Sequence, residues 1–477
     1  MSTTSLLSSL LGSSNSSSSI DISSILEAAT GASTPGIDVT SAVSAAVTAA
    51  ESPEDTWESQ ESTLQSQSSA LDTIQSDTAT VETALQALSS LTGALSANTV
   101  TSSNSSVLTG TATTGSATGT SVIEINSLAS TASYASSAVA SSTTALSSGS
   151  ITITGSSGSA TTFSTGSGTT GDTLSDLETA INSAGLGVTA SIITDASGSM
   201  LELDSNTSGS AGTFTVSSAG SAPSFTQGDA GSNASLTVNG ITISSATNTV
   251  TGAVPGLTLN LMSASPGTQV TLTTAPDTSS ASTAINQFVT DYNTLMGAVN
   301  AQYSDSSGSG QGVLASDPTL SILQTDLLQS VDYAASPASG SSTTTMPNLS
   351  SLGISVNDDG TLSVDSTALN SALQNNFSDV QNFFQGSASN GFANSLNAQL
   401  TSFTNTSNGA FTVDLQSMST EYSGLETDIT NFQNNVITPL QTQLQSEYSS
   451  AEEELQELPT ELKQIDEELG ENNSSSS

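Results

Sequence analysis

The chain of 477 residues contains no cysteine, no histidine and one basic side chain, Lys463, against 43 Asp and Glu. Without cysteine there are no disulfides and no thiol chemistry, and the redox compartment is left open. Without histidine the commonest general base is missing, and with cysteine also missing every Ser-His or Cys-His nucleophile arrangement is excluded. The commonest metal ligands go with them. No glycine-rich loop is followed by a lysine, which argues against phosphoryl transfer. Two acids can make a hydrolase, yet no spacing singles out a pair here, so no enzyme activity, catalytic residue, cofactor or metal is expected. A formal net charge of -42 argues against nucleic acid and anionic lipid as partners, since both are held through Lys and Arg. No run approaches the ~20 apolar residues of a membrane span. The opening MSTTSLLSSLLGSSNSSSS lacks a basic n-region and a continuous apolar core, so no cleaved signal peptide is expected. Aromatic residues make up 4% and apolar residues 34%, which allows only modest cores.

What the chain does have is heptad spacing at both ends. Trp57, Leu64, Leu71 and Leu85 share one heptad position, and Ile74, Val81, Leu88 and Leu95 share another. Near the other end, Leu415, Met418, Tyr422, Leu425, Ile429, Phe432 and Val436 form one stripe. Leu444, Tyr448, Ala451, Leu455, Leu458, Leu462, Ile465 and Leu469 form the next, with the phase slipping at Pro439. A 3.5-residue seam gains only from packing on another helix, so the two ends are expected to meet, within one molecule or between neighbours. Ser52-Pro53-Glu54-Asp55 is a helix start, with the helix expected to run to about Ser96. Pro439 and Pro459 are expected kinks.

Between the ends the period changes to two. Ser121–Ile125, Ser150–Ile153, Val188–Ile193, Met200–Leu203, Leu236–Ile243, Leu257–Leu261 and Gln269–Thr273 read as strands. Asn239-Gly240 signals a two-residue turn, and Thr173 caps a short helix through Asn182. Helices resume at Asp277 and Asp317-Pro318. Asp358-Asp359-Gly360 reads as the turn of a small hairpin in preference to a calcium loop, followed by one helix carrying Leu369, Leu373, Phe377 and Val380. The Glu452–Glu457 cluster reads as a solvated helix face. The fold class is α+β, with helical ends around a β-rich insert.

Several stretches, in order, resemble one family. They are Gly36-Ile37-Asp38-Val39, Glu51-Ser52-Pro53 and Gln67–Leu71, then Leu174–Gly209 with Ile181-Asn182. Val238–Ile241, Val254–Leu259 and Ala284–Asn293 follow, and finally Leu352–Ile354, Asp359–Leu362 and Asp365. The order resembles the bacterial flagellar filament cap family (flagellar hook-associated protein 2), and Leu174–Gly209 resembles the IN motif of flagellar axial proteins. The resemblance implies a helical, coiled-coil leg domain formed by both chain ends, carrying a β-rich head of two subdomains. The boundaries expected are a disordered tail over 1–36, leg helices over 37–98, and a head over 99–276 with its inner subdomain at roughly 126–227. Leg helices with the small hairpin over 277–410, coiled coil over 411–470 and a disordered tail over 471–477 complete the chain. It further implies a non-enzymatic cap that promotes flagellin assembly in rings of about five or six copies. Partners would be flagellin, the hook–filament junction protein, further copies of itself and an export chaperone. Export would use the flagellar type III route to the extracellular filament tip. The seam residues implied for assembly are Trp57, Leu64, Leu71, Ile74, Val81, Leu85, Leu88, Leu415, Tyr422, Leu425, Ile429, Phe432, Leu455, Leu458, Leu462 and Ile465. A hook–filament junction protein or a secreted Ser/Thr-rich adhesin is the alternative.

Overall fold

The computed structural model describes residues 38–304, 311–335, 346–386 and 390–474. Both expected disordered tails fall wholly or partly outside these residues. In chain order the elements begin with helices α1 (Val39–Ala50) and α2 (Ser52–Ser89). Strands follow as β1 (Asn98–Ser102), β2 (Leu108–Ala112), β3 (Gly119–Ser127), β4 (Thr131–Ser136), β5 (Gly149–Thr154) and β6 (Ala160–Thr165). Helix α3 (Leu174–Ser183) precedes β7 (Val188–Asp195), β8 (Gly198–Ser208), β9 (Thr215–Gly220), β10 (Phe225–Gln227), β11 (Ala234–Val238), β12 (Ile241–Ser245), β13 (Thr249–Thr251), β14 (Leu257–Leu261) and β15 (Gln269–Pro276). Then come α4 (Thr278–Tyr303), α5 (Pro318–Ser330), the hairpin β16 (Ile354–Val356) and β17 (Leu362–Val364), α6 (Ser366–Asn375), α7 (Phe377–Gln385), α8 (Phe392–Thr404), α9 (Ala410–Phe432) and α10 (Thr438–Ser474). A π-turn over Gln433–Ile437 joins the last two. The mixture is α+β.

The chain separates into two compact units. One gathers the described parts of residues 1–79, 295–325 and 400–477; the other holds 80–294 and 326–399.

The second unit contains two sheet cores. In the first, the five-stranded sheet β1-β15-β3-β11-β12 faces the three-stranded sheet β13-β14-β2. Period-two alternation does the work: Ile123 and Ile125, Leu236 and Val238, Leu257, Leu259 and Leu261, Val270 and Leu272 all point into one buried cluster. Strands β3 and β11 are antiparallel neighbours, and everything from β4 to β10 is inserted between them. That insert builds its own core from the sheets β10-β4-β8-β7 and β6-β5-β9 with helix α3. Asn239 (φ 49) and Gly240 (φ 85) both take the left-handed conformation that a type I′ hairpin turn requires.

Three asparagines tie loose edges of this unit. Asn182 donates to Ala190 O at 2.9 Å and accepts from Ala190 N at 2.8 Å. Asn248 does the same to Ala129, at 3.0 and 2.8 Å. Asn293 does it to Leu362, at 2.8 and 2.6 Å. A side-chain amide presents the donor and acceptor of a peptide unit, so each mimics one rung of a β-ladder. The helical part of the unit closes on an aromatic cluster, with Phe383 stacked on Phe392 at 5.4 Å and Phe288 edge-on to Phe392 at 5.6 Å.

Two expectations are corrected. Helix α2 ends at Ser89, short of Ser96, because the chain turns back at Gly93, where a Cβ would lie 2.1 Å from Ala87 O. Leu95 is therefore buried from a 3₁₀ turn and not from the helix. The single helix expected from Leu369 to Val380 is two, broken at Asn376, whose ψ of 35° is not helical.

Candidate functional site

The site lies in the unit built from the chain ends, and it is assembled from the expected seams. Helix α1 is capped by Asp38, whose carboxylate accepts from Ser41 N at 3.1 Å and from the Ser41 hydroxyl at 2.6 Å. These bonds favour the ionised form and hold the Asp38 carboxyl below its ordinary pKa. Val43 and Val47 of α1 pack with Ile437, and Phe432, Leu444 and Tyr448 close around them. The first and last parts of the chain thus share one core, and they do so within one molecule.

Helices α2 and α9 run antiparallel. Trp57 meets Phe432 edge to face at 5.4 Å, and the Gln433 amide donates to the Glu54 carboxylate. Further along, Leu64 and Gln67 lie beside Asp414, Met418 and Glu421. Position numbers rise on one helix as they fall on the other. Gln67 also donates to Val313 O at 3.1 Å, fastening the loop before α5.

The structure places the seam residues unequally. Leu64, Leu71 and Ile74 are buried in this unit, and Val81, Leu85 and Leu88 are buried in the other, so none of these six offers free surface. Trp57, Leu415, Tyr422, Leu425, Ile429 and Phe432 are half-buried. Leu455 is exposed. The side chains of Leu458, Leu462 and Ile465 lie outside the described residues; helix α10 itself runs through Pro459.

Val436, expected on the seam, is 42% exposed, and its neighbour Ile437 is buried in its place. The reason is the π-turn. Pro439 has no N–H for the carbonyl four residues back, and the turn widens so that Thr438 N bonds Gln433 O. The wider turn accommodates one extra residue, which moves the inward face from 436 to 437. Sequence periodicity also passed over Thr78, which occupies a heptad position, is fully buried and returns its hydroxyl to Ile74 O at 2.7 Å.

Between α2 and α9 lies an open groove of about 560 Å³, bordered by Glu58, Glu61, Glu426, Ile429 and Thr430. A second hollow of about 280 Å³ sits beside Leu64, Asp317, Asp414, Met418 and Glu421. Glu61 Oε1 and Asp414 Oδ2 are shut from solvent and take no hydrogen bond. Among the described residues no group of three or more His, Cys, Asp or Glu could hold a metal ion. No helix there is long and apolar enough to cross a membrane. What this arrangement provides is the pairing of helices from both ends of the chain.

Comparison with known proteins gives an ordered set of matches. The family model of the flagellar hook-associated protein 2 N-terminus matches residues 35–132, and that of its C-terminus matches 231–463. The flagellin hook IN motif matches 150–207, which brackets Asn182 and the strands it ties. The B-type flagellar hook-associated protein 2 of Pseudomonas aeruginosa PAO1 is 28% identical over 249 residues, covering 46% of this chain and 51% of that protein. The A-type protein of Pseudomonas aeruginosa is 27% identical over 175 residues, 35% of each chain. The chain thus spans about half the length of the first relative and about a third of the second. The crystal structure of the D1-D2-D3 domains of the flagellar cap protein FliD from Escherichia coli superposes with a TM-score of 0.57 at 28% identity. It covers 73% of this chain and 99% of the solved one.

Proposed function

Because the chain belongs to the flagellar hook-associated protein 2 family, we propose that it is a subunit of the flagellar filament cap. In this reading the helices from the chain ends (37–98, 277–410 and 411–470) are legs, and the sheets over 99–276 are the head. The head closes the filament tip in a ring of like subunits. The legs face incoming flagellin and, at the start of growth, the hook–filament junction protein. An export chaperone holds the seams before secretion through the flagellar type III route, and the protein works outside the cell. No bond is made or broken.

One observation carries the reading. The first and last helices share a core around Ile437, and the residues between them in sequence build two sheet cores. Immunogold electron microscopy of a flagellated host tests it, with label expected at filament tips. Label at the filament base would point to a junction protein and label over the cell surface to an adhesin; either result overturns the cap. Truncation after Leu440 is expected to abolish filament growth while the sheets remain folded, and normal filaments from that truncation count against the legs.

A further inference from the structure

We propose that the groove between α2 and α9 is a docking surface for an amphipathic helix of another protein, one carrying Lys or Arg beside an apolar edge. The proposal rests on the cap reading only in taking the chain to work against other helical proteins.

The groove supplies half of such a contact. Ile429 offers a half-buried apolar step in its wider part, and Met418 offers another in the second hollow. The carboxylates of Glu58, Glu61 and Glu426 line the first, and those of Asp317, Asp414 and Glu421 line the second. Met418 and Ile429 lie about three turns apart along α9, so one helix laid along the groove can meet both apolar steps with its apolar edge and the flanking acids with its polar face. Desolvated carboxylate is costly unless a cation or donor meets it. Glu61 Oε1 and Asp414 Oδ2 are already withdrawn from water without either.

The charge identifies the occupant. A second copy brings one Lys and 43 more acids, so like charge would face like charge across the groove. No segment of this chain is rich in cations. The partner must therefore bring its own. Its ammonium or guanidinium groups would meet the glutamates while its apolar edge covers Ile429 and Met418.

The test uses the full-length protein and synthetic helical peptides of roughly five turns. One peptide has a Lys polar face and a Leu apolar edge, one has Glu in place of Lys, and one has Ser in place of Leu. Trp57, the chain's sole tryptophan, reports binding by its fluorescence, since its ring lies against Phe432 of α9. The Lys/Leu peptide is expected to bind, the Glu peptide not to bind, and the Ser peptide to bind more weakly. The triple variant Glu58→Gln, Glu61→Gln, Glu426→Gln is expected to lose roughly tenfold or more in affinity. The triple Asp195→Asn, Asp229→Asn, Asp358→Asn makes the same change of net charge at exposed positions of the other unit and is expected to bind like the parent. Equal losses in both triples would reduce the effect to net charge and overturn the proposal, as would no binding of the Lys/Leu peptide. Tip localisation is scored separately in the same strains. A protein that caps filaments but ignores the peptide sinks the groove alone, and one that binds the peptide away from the tip sinks the cap alone.

Discussion

At the scale of single residues, the chain fastens itself with neutral amides. Asn182, Asn248 and Asn293 each satisfy both the N–H and the C=O of one backbone residue, which a lysine could not do and an aspartate could do only by half. Asn182→Asp keeps the acceptor for Ala190 N but turns a carboxylate oxygen toward Ala190 O. The expected cost is about 1–3 kcal/mol, with faster hydrogen exchange at the Ala190 amide; protection unchanged there would show that the amide is dispensable. Asp277 gives a pH-dependent counterpart. Its carboxylate accepts from Ser280 N at 3.0 Å and from the Ser280 hydroxyl at 2.7 Å, and these bonds lower its pKa from the ordinary value of 3.8. A carboxyl depressed in the folded state contributes stability above its unfolded pKa and loses it as pH falls through the folded value. The contribution of this cap is therefore fully present at neutral pH and fades progressively as the pH falls below about 4. Asp277→Asn is expected to flatten that part of the acid unfolding curve, and identical acid limbs in variant and parent would remove the cap's role.

Among elements, the π-turn shows what sequence periodicity can and cannot reveal. The stripes along α2 and α9 are legible because each repeats over several turns, and the Asn239-Gly240 hairpin is legible because two left-handed residues in a row admit few other sequences. Counting residues in equal turns puts Val436 on the inner face, where the structure has Ile437. A 3.5-residue period assumes equal turns, and Pro439 makes one turn longer. The groove itself had no signature, because Glu58, Glu61 and Glu426 read as ordinary solvated positions until the antiparallel register of α2 and α9 placed them together. Thr78 was invisible for the opposite reason: a hydroxyl that bonds its own helix can occupy an apolar position. The corrected phase makes a sharp comparison. Ile437→Ala removes a buried side chain shared with Val43 and Val47 and is expected to cost about 2–5 kcal/mol. Val436→Ala is expected to change stability by less than about 0.5 kcal/mol. Thermal melts followed by Trp57 fluorescence separate the two, and a reversed order would restore the unbroken heptad.

Across the whole molecule, charge is distributed very unevenly. The outer sheet sandwich, drawn from residues 98–130 and 231–276, holds a single charged side chain, Glu124. Helix α10 instead carries Glu447, Glu452, Glu453, Glu454, Glu457 and Glu461 before its one cation, Lys463. Pairs such as Glu453/Glu457 and Glu457/Glu461 are one turn apart, and each like-charged pair costs about 0.2–0.5 kcal/mol. Nothing comparable opposes the sandwich, whose edges are tied by amides and hydroxyls. Salt should therefore act on the two units differently. Raising ionic strength from 0.1 M to 1 M shortens the screening length from ~10 Å to ~3 Å, which weakens repulsion along α10 and between α2 and α9 but leaves the neutral sheets nearly as they were. The melting midpoint reported by Trp57 is expected to rise with sodium chloride, and hydrogen exchange in β3, β11 and β15 to stay nearly constant. Salt also strengthens apolar burial in general, so the charge itself has to be varied. The double variant Glu453→Gln, Glu457→Gln should be more stable than the parent at low salt and gain less from added salt. Equal salt slopes in variant and parent, or sheets that gain as much as the helices, would show that carboxylate repulsion does not set the stability of the terminal helices.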